Sequence, residues 1–204
     1  MPEILVPPGG AIEILLDACR LNSDASGALQ ARVRQLIDMG LTDLKRETAN
    51  ARVRYGLTEL AQLGLATALM NAQVQPAVAA RIVREAWSDL VPFLMAGINN
   101  LPERFRRLRP GDAGHYALIE GNALANLGTK SIRASRGGGP LPVVKVFCDI
   151  RSAMEADTGS DSGTYVNSSR FMSRIFEMLV AKAAVPEDIW ESLTRFRQSA
   201  ARSA

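Results

Sequence analysis

Gln30, Arg32, Arg34 and Gln35 lie close together in the chain, and Lys45, Arg46, Arg52 and Arg54 follow beyond a Gly40-Leu41 break. The two groups suit different chemistry. A guanidinium fork can bond guanine O6 and N7, and a glutamine amide can bond adenine N6 and N7, so Arg34 and Gln35 are able to read base edges. Four cations set against Asp43 and Glu47 suit phosphate oxygens, whose contacts position a protein on a duplex without reading its sequence.

Groups suited to other chemistry are isolated. His115 is the single histidine, which excludes multi-histidine metal sites and leaves any Ser/His or Cys/His pair dependent on one residue at an expected strand start. Cys19 and Cys148 are far apart and form neither a metal-type nor a redox-type pair, so both read as small buried hydrophobes. Gly137-Gly138-Gly139 lacks the following Lys-Ser/Thr of a phosphate-cradling loop and reads as a connector. Asp157-Thr158-Gly159-Ser160 looks like the triplet in which two aspartic-protease carboxylates share a proton. That triplet follows an apolar strand, whereas Ser152 to Ala156 reads as helical and Asp161-Ser162-Gly163 continues a polar loop. The expectation is no catalytic residue, no metal site and no cofactor.

The basic residues need elements to hold them. Leu29, Val33, Leu36 and Ile37 recur at helical spacing, predicting a helix over 27–39 with one buried stripe. Its outward arc then carries Ala31, Arg34, Gln35 and Asp38, with Gln30 and Arg32 on the flanks, and Gly40 ends it as a C′ glycine. From Leu44 to Tyr55 the pattern is short, charged and turn-rich, which predicts a small hairpin. A first helix is expected over Ala11 to Leu21, after a Pro7-Pro8-Gly9-Gly10 breaker, with a turn from Asn22 to Gly27. Thr58 is the expected N-cap of a third helix through Met70, apolar on all sides and hence central. Pro76 opens a fourth, with Trp87 on its apolar side; Pro92 then interrupts before a short helical piece.

Beyond residue 100 the pattern changes. Arg104 to Arg109, closed by Pro110-Gly111, is the densest positive run and reads either as a solvated linker or as a second phosphate-contacting strip. Tyr116 to Ile119 and Ala123 to Leu127 predict a hairpin, and Val143, Val144, Val146 and Phe147 a strand. Thr158 to Thr164 reads as flexible, before a helix with Phe171, Met172, Ile175, Phe176 and Leu179 on its apolar side. Pro186 opens a last helix with a stripe of Ile189, Trp190, Leu193 and Phe196, acidic Glu187 and Asp188 at its start and Arg195 and Arg197 at its end.

The order of these parts resembles the MerR-type winged helix-turn-helix family over roughly residues 11 to 90. The matching residues are Arg32-Val33-Arg34, Gly40-Leu41, Arg46, Arg52-Val53-Arg54-Tyr55, then Leu57, Leu60, Leu63, Ala68-Leu69, Val74 and Ile82-Val83. The resemblance implies that Arg34 and Gln35 read bases, that Arg46, Arg52 and Arg54 hold phosphates, and that Tyr55 packs or bonds at the base of the wing. The chain departs from the family in its longer Asn22 to Gly27 turn and in Arg-x-Arg-Tyr where Gly-Tyr-Arg-x-Tyr is common. The family's long dimerisation helix is also not evident, because Pro92 breaks the apolar run, so dimerisation falls to the last two helices.

Composition sets the outer bounds. Of 204 residues 47% are hydrophobic, enough for a packed core, and 24 basic against 21 acidic residues give a net charge of only +3. Such a mild charge indicates nucleic acid only where it is clustered, as it is here. The start of the chain lacks a basic signal-like segment and no run approaches about 18 apolar residues, so neither secretion nor membrane insertion is expected and a cytoplasmic setting fits the cysteine usage.

The fold class expected is mainly α with a small β component: a winged helix-turn-helix over 11–100, a basic linker over 101–113, and an α+β region over 114–204 for dimerisation or sensing. The expected function is sequence-specific binding of double-stranded DNA by a homodimeric transcription regulator, through Gln30, Arg32, Arg34, Gln35, Lys45, Arg46, Arg52, Arg54 and Tyr55. The alternative is a helical interaction protein that does not bind DNA and acts through its C-terminal half, with an enzyme as third choice.

Overall fold

A computed structural model describes residues 4–42, 44, 53–99, 116–120, 144–147, 163–181 and 186–202. These residues form a mainly helical protein. In chain order the elements are α1 (Pro8–Ala18), α2 (Ser26–Asp38), α3 (Leu57–Asn71), α4 (Pro76–Glu85), α5 (Trp87–Asn99), β1 (Tyr116–Glu120), β2 (Val144–Phe147), β3 (Gly163–Asn167), α6 (Ser168–Val180) and α7 (Pro186–Ser199). Short 3-10 turns cover Ser23–Ala25 and Ala200–Arg202.

The apolar circumference of α3 puts it at the centre, in contact with α1, α4, α6 and α7. Leu57, Leu60, Leu63, Leu65 and Leu69 are buried on it, and Thr67, which a core would otherwise leave unpaired, donates its hydroxyl to the Leu63 carbonyl at 2.7 Å. Thr58 is not its N-cap. Gly56 is, and the helix begins at Leu57, two residues earlier, because the Glu59 carboxylate turns back to accept the Gly56 N–H at 2.9 Å and so satisfies one of the donors that a helix start leaves free. The start of α1 also lies earlier than expected: Pro8 opens the helix rather than blocking it, since the missing proline N–H costs nothing in a first turn.

Three helices end in the same way. After α1, α2 and α3 one residue adopts a left-handed backbone, and the chain closes with paired N–H bonds back into the last turn. Behind α2 the residue is Gly40 at φ 73°, with Gly40 N–H bonding Ile37 O at 2.9 Å and Leu41 N–H bonding Leu36 O at 3.1 Å. Behind α1 and α3 the residues are Arg20 and Gln73, at φ 55° and 66°, which carry the strain that glycine avoids.

One proline and a tryptophan correct the reading of residues 76–99, whereas Pro76 opens α4 as expected. Helix α4 ends at Glu85, so Trp87 starts the next helix rather than broadening α4, and Pro92 lies inside α5 instead of terminating it. Pro92 is exposed, while Trp87, Leu90, Val91, Phe93, Leu94 and Ile98 are buried around it. Burial of so many large side chains outweighs one lost backbone bond, a penalty of about 3 kcal/mol.

The sheet has the order β2-β1-β3, antiparallel throughout, with Tyr116 opposite both Phe147 and Asn167. Both edges of β1 are occupied by strands distant in sequence, and Ala123 to Leu127, the expected hairpin partner, lie outside the described residues. Gly163 and Thr164, expected in a flexible stretch, begin β3, which runs directly into α6. Arg104 to Arg109, His115, Gly137 to Gly139, Cys148 and Asp157 to Ser160 are outside the described residues.

Helices α6 and α7 join the core of the N-terminal helices. Helix α6 packs on α5, α1 and α3, and α7 packs on α3 and α5. Arg174 of α6 bonds both the carbonyl and a carboxylate oxygen of Asp17 at 2.8 Å, placing its charge at the negative end of α1. Trp87 stands edge-on to Phe196, with ring centroids 5.8 Å apart, and donates its indole N–H to Ser199 at 2.9 Å. Trp190 leaves the expected apolar stripe of α7: it is 45% exposed, whereas Ile189, Leu193 and Phe196 are buried.

Candidate nucleic-acid interface

Helix α2 is oriented by its buried stripe. Leu29, Val33 and Leu36 are 2%, 3% and 0% exposed, and Ile37 is half-buried beside them. Each such burial is worth about 1.5–3 kcal/mol, so rolling α2 about its axis would sacrifice much of the 5–15 kcal/mol typical of a whole domain. The opposite arc is thereby fixed in solvent. Gln30, Ala31, Arg32, Arg34, Gln35 and Asp38 are all exposed.

The arc has three parts. At 100° per residue, Gln30, Arg34 and Asp38 lie a turn apart and run from one flank towards the outermost line, which Ala31 occupies, while Gln35 and then Arg32 lie on the other side. Arg34 and Arg32 therefore face different surroundings. None of the side chains of Gln30, Arg32, Arg34, Gln35 or Asp38 has a hydrogen-bond or ion-pair partner among the described residues. By contrast Arg81, Arg174 and Arg195 engage Glu85, Asp17 and Glu191 at 2.8–2.9 Å.

The chain returns from the 42–53 excursion at Arg54 and Tyr55. Tyr55 pairs with Val6 in an antiparallel bridge, Val6 N–H to Tyr55 O at 3.0 Å and Tyr55 N–H to Val6 O at 2.9 Å. Extended backbone alternates its side chains, so Tyr55 is buried while Arg54 points to solvent. The bridge went unread in the sequence although a signal was present: Ile4-Leu5-Val6 is a short apolar run stopped by Pro7. The segment is also anchored from behind, since Ile4 donates its N–H to Ser192 of α7 at 3.0 Å. Lys45, Arg46 and Arg52 lie outside the described residues, and with them the turn of the expected hairpin.

Between α2 and this returning chain lies a cleft of about 540 Å³. Gln30, Arg34 and Asp38 line it from α2; Leu44, Val53 and Tyr55 line it from the two ends of the excursion. Pro8 and Ile12 of α1, with Val33 and Ile37, complete the apolar lining. The structure thus brings together Gln30, Arg34 and Tyr55, and leaves Arg32 and Gln35 outside the cleft.

Among the described residues one thiol remains, the half-buried Cys19. Cys19 donates its thiol to the Gly64 carbonyl at 3.5 Å, and burial pushes its pKa up to about 12, so it is not a nucleophile at neutral pH. No group of three His, Cys, Asp or Glu side chains suited to a metal ion occurs among the described residues. Nor is any helix there long and apolar enough to cross a membrane. No protein-family model, curated protein or solved structure matches the chain.

Proposed function

We propose that the protein binds double-stranded DNA as a transcription regulator of MerR-like winged helix-turn-helix type, with an α+β C-terminal region serving dimerisation or sensing in the cytoplasm. The observation that carries the reading is the exposed, unpaired arc of α2, held outward by its buried stripe beside the returning arginine strand. In this reading Arg34 and Gln35 reach base edges in the major groove, with Gln30 and Arg32 on either side. Arg54, together with Lys45, Arg46 and Arg52, contacts phosphates, and Tyr55 secures the base of the wing through its backbone bridge to Val6. Asp38, at the C-terminal end of α2, is kept from the phosphates by its position.

The test is the salt dependence of binding to duplex DNA selected by the purified protein. Each released counterion adds about 0.9 to the log–log slope, so replacing Arg46, Arg52 and Arg54 together with Ala is expected to weaken binding to every sequence and flatten the slope by roughly 3. Arg34→Ala is expected to relax preference at one base pair by about 1–3 kcal/mol while leaving the slope nearly unchanged. A triple variant that binds as tightly as the parent sinks the wing assignment. In a second reading the helices form a scaffold for a protein partner, and the exposed Trp190 of α7 is its contact in the C-terminal half. Under that reading no duplex is selected at any salt concentration, and Trp190→Ala abolishes partner binding.

A further inference from the structure

The cleft beside α2 has the composition of a small-molecule site rather than of a plain phosphate-binding surface. Its volume, about 540 Å³, lies inside the range of ligand pockets. Its lining is apolar on three elements, Ile12 of α1, Val33 and Ile37 of α2, and Leu44 and Val53 of the excursion. Against that lining stand two opposite charges on one helix face, Arg34 and Asp38. They sit four residues apart, a separation of about 6 Å along the axis at which such side chains commonly join. They form no ion pair with each other and have no other partner among the described residues. A phosphate backbone would use Arg34 and be repelled by Asp38, so the pair as a unit suits a ligand that carries both charges.

We propose that this cleft binds a small zwitterion with an apolar body, of dipeptide size, and that its occupation blocks base reading by Arg34. The ligand's carboxylate takes the Arg34 guanidinium, its ammonium takes Asp38, and Gln30 supplies a neutral hydrogen-bonding group one turn further along. The apolar body covers Ile12, Val33, Ile37, Leu44 and Val53. Burying that body provides the affinity, while the two charges select zwitterions over fatty acids and over simple amines. The competition with DNA rests on the function proposed above; binding of the zwitterion does not.

The experiment uses the full chain and a set of dipeptides combining Val, Leu, Phe and Tyr at both positions, titrated to 10 millimolar and followed by calorimetry and by amide NMR shifts. At least one dipeptide is expected to bind, and its N-acetylated and C-amidated forms are each expected to bind at least tenfold more weakly. In Asp38→Asn the penalty for acetylation should vanish while that for amidation remains; in Arg34→Gln the reverse should hold. Absence of binding by every dipeptide, or equal affinity of the capped forms, overturns the proposal. A dipeptide that binds in this pattern without weakening DNA binding leaves the zwitterion site standing and removes Arg34 from base reading. DNA binding without any dipeptide binding does the opposite.

Discussion

Arg20 and Gln73 end their helices in a left-handed conformation that costs an L-residue about 1–2 kcal/mol, a cost Gly40 escapes at the equivalent place behind α2. Part of that cost returns when glycine is introduced, because the unfolded chain becomes more flexible by 0.4–1 kcal/mol. Arg20→Gly and Gln73→Gly are therefore each expected to raise unfolding free energy by about 0.5–1 kcal/mol, measurable by urea denaturation. Lower stability in both would mean that their side chains make contacts worth more than the backbone strain. The helix ends themselves were legible from Gly40 but not from Arg20 or Gln73, since neither residue type announces a positive φ.

Cys19 makes a second prediction at this scale. Its folded pKa, about 12, exceeds the unfolded value, so the folded state favours the neutral thiol. Its contribution is fully present below pH of about 8.5 and is lost progressively as pH rises towards 12. Peptide-resolved alkylation at pH 8 should find Cys19 protected in the native protein and reactive in denaturant. Cys19→Ala should reduce the loss of stability between pH 9 and 11; an unchanged pH profile would show that the thiol carries no such linkage.

Among the elements, α3, α6 and α1 meet closely at Gly64. A Cβ on Gly64 would lie 2.7 Å from Phe171 Cζ and 3.2 Å from Leu15 Cδ2, both on buried side chains that have little room to yield. Alanine favours a helix by about 1 kcal/mol over glycine, but overpacking costs 1–3 kcal/mol. Gly64→Ala is thus expected to lower stability by about 1–2 kcal/mol, and Phe171→Leu in the same chain to recover part of the loss. Strict additivity of the two substitutions would show that the contact is not the cause. The periodicity of α3 foretold its central place, and that of α6 foretold its buried face. Which glycine would touch which phenylalanine is information that no local pattern contains.

For the whole molecule the question is whether residues 11–100 can stand without the C-terminal helices. Phe171, Met172, Ile175, Phe176 and Leu179 of α6, with Leu193 and Phe196 of α7, are buried in the same core as α1, α3 and α5. At about 1.5–3 kcal/mol for each burial, their loss exceeds the stability of an ordinary domain. A chain ending at residue 113 is expected to show no cooperative thermal transition by circular dichroism, whereas the full chain does. Cooperative unfolding of the fragment would restore the boundary drawn at 101–113.

The presence of α1 to α4, α6 and α7, the main buried stripes of α2, α3 and α6 and the outward arc of α2 were determined by the sequence alone, because each follows from side-chain type at a fixed angular spacing within one segment; several helix ends were not. The partners of β1, the bridge from Val6 to Tyr55, the passage of α5 through Pro92, the exposure of Trp190 and the cleft holding Arg34 opposite Leu44 and Val53 were decided by tertiary structure. Each depends on groups far apart in the chain, whose burial energies compete, and local spacing carries no record of which competitor wins.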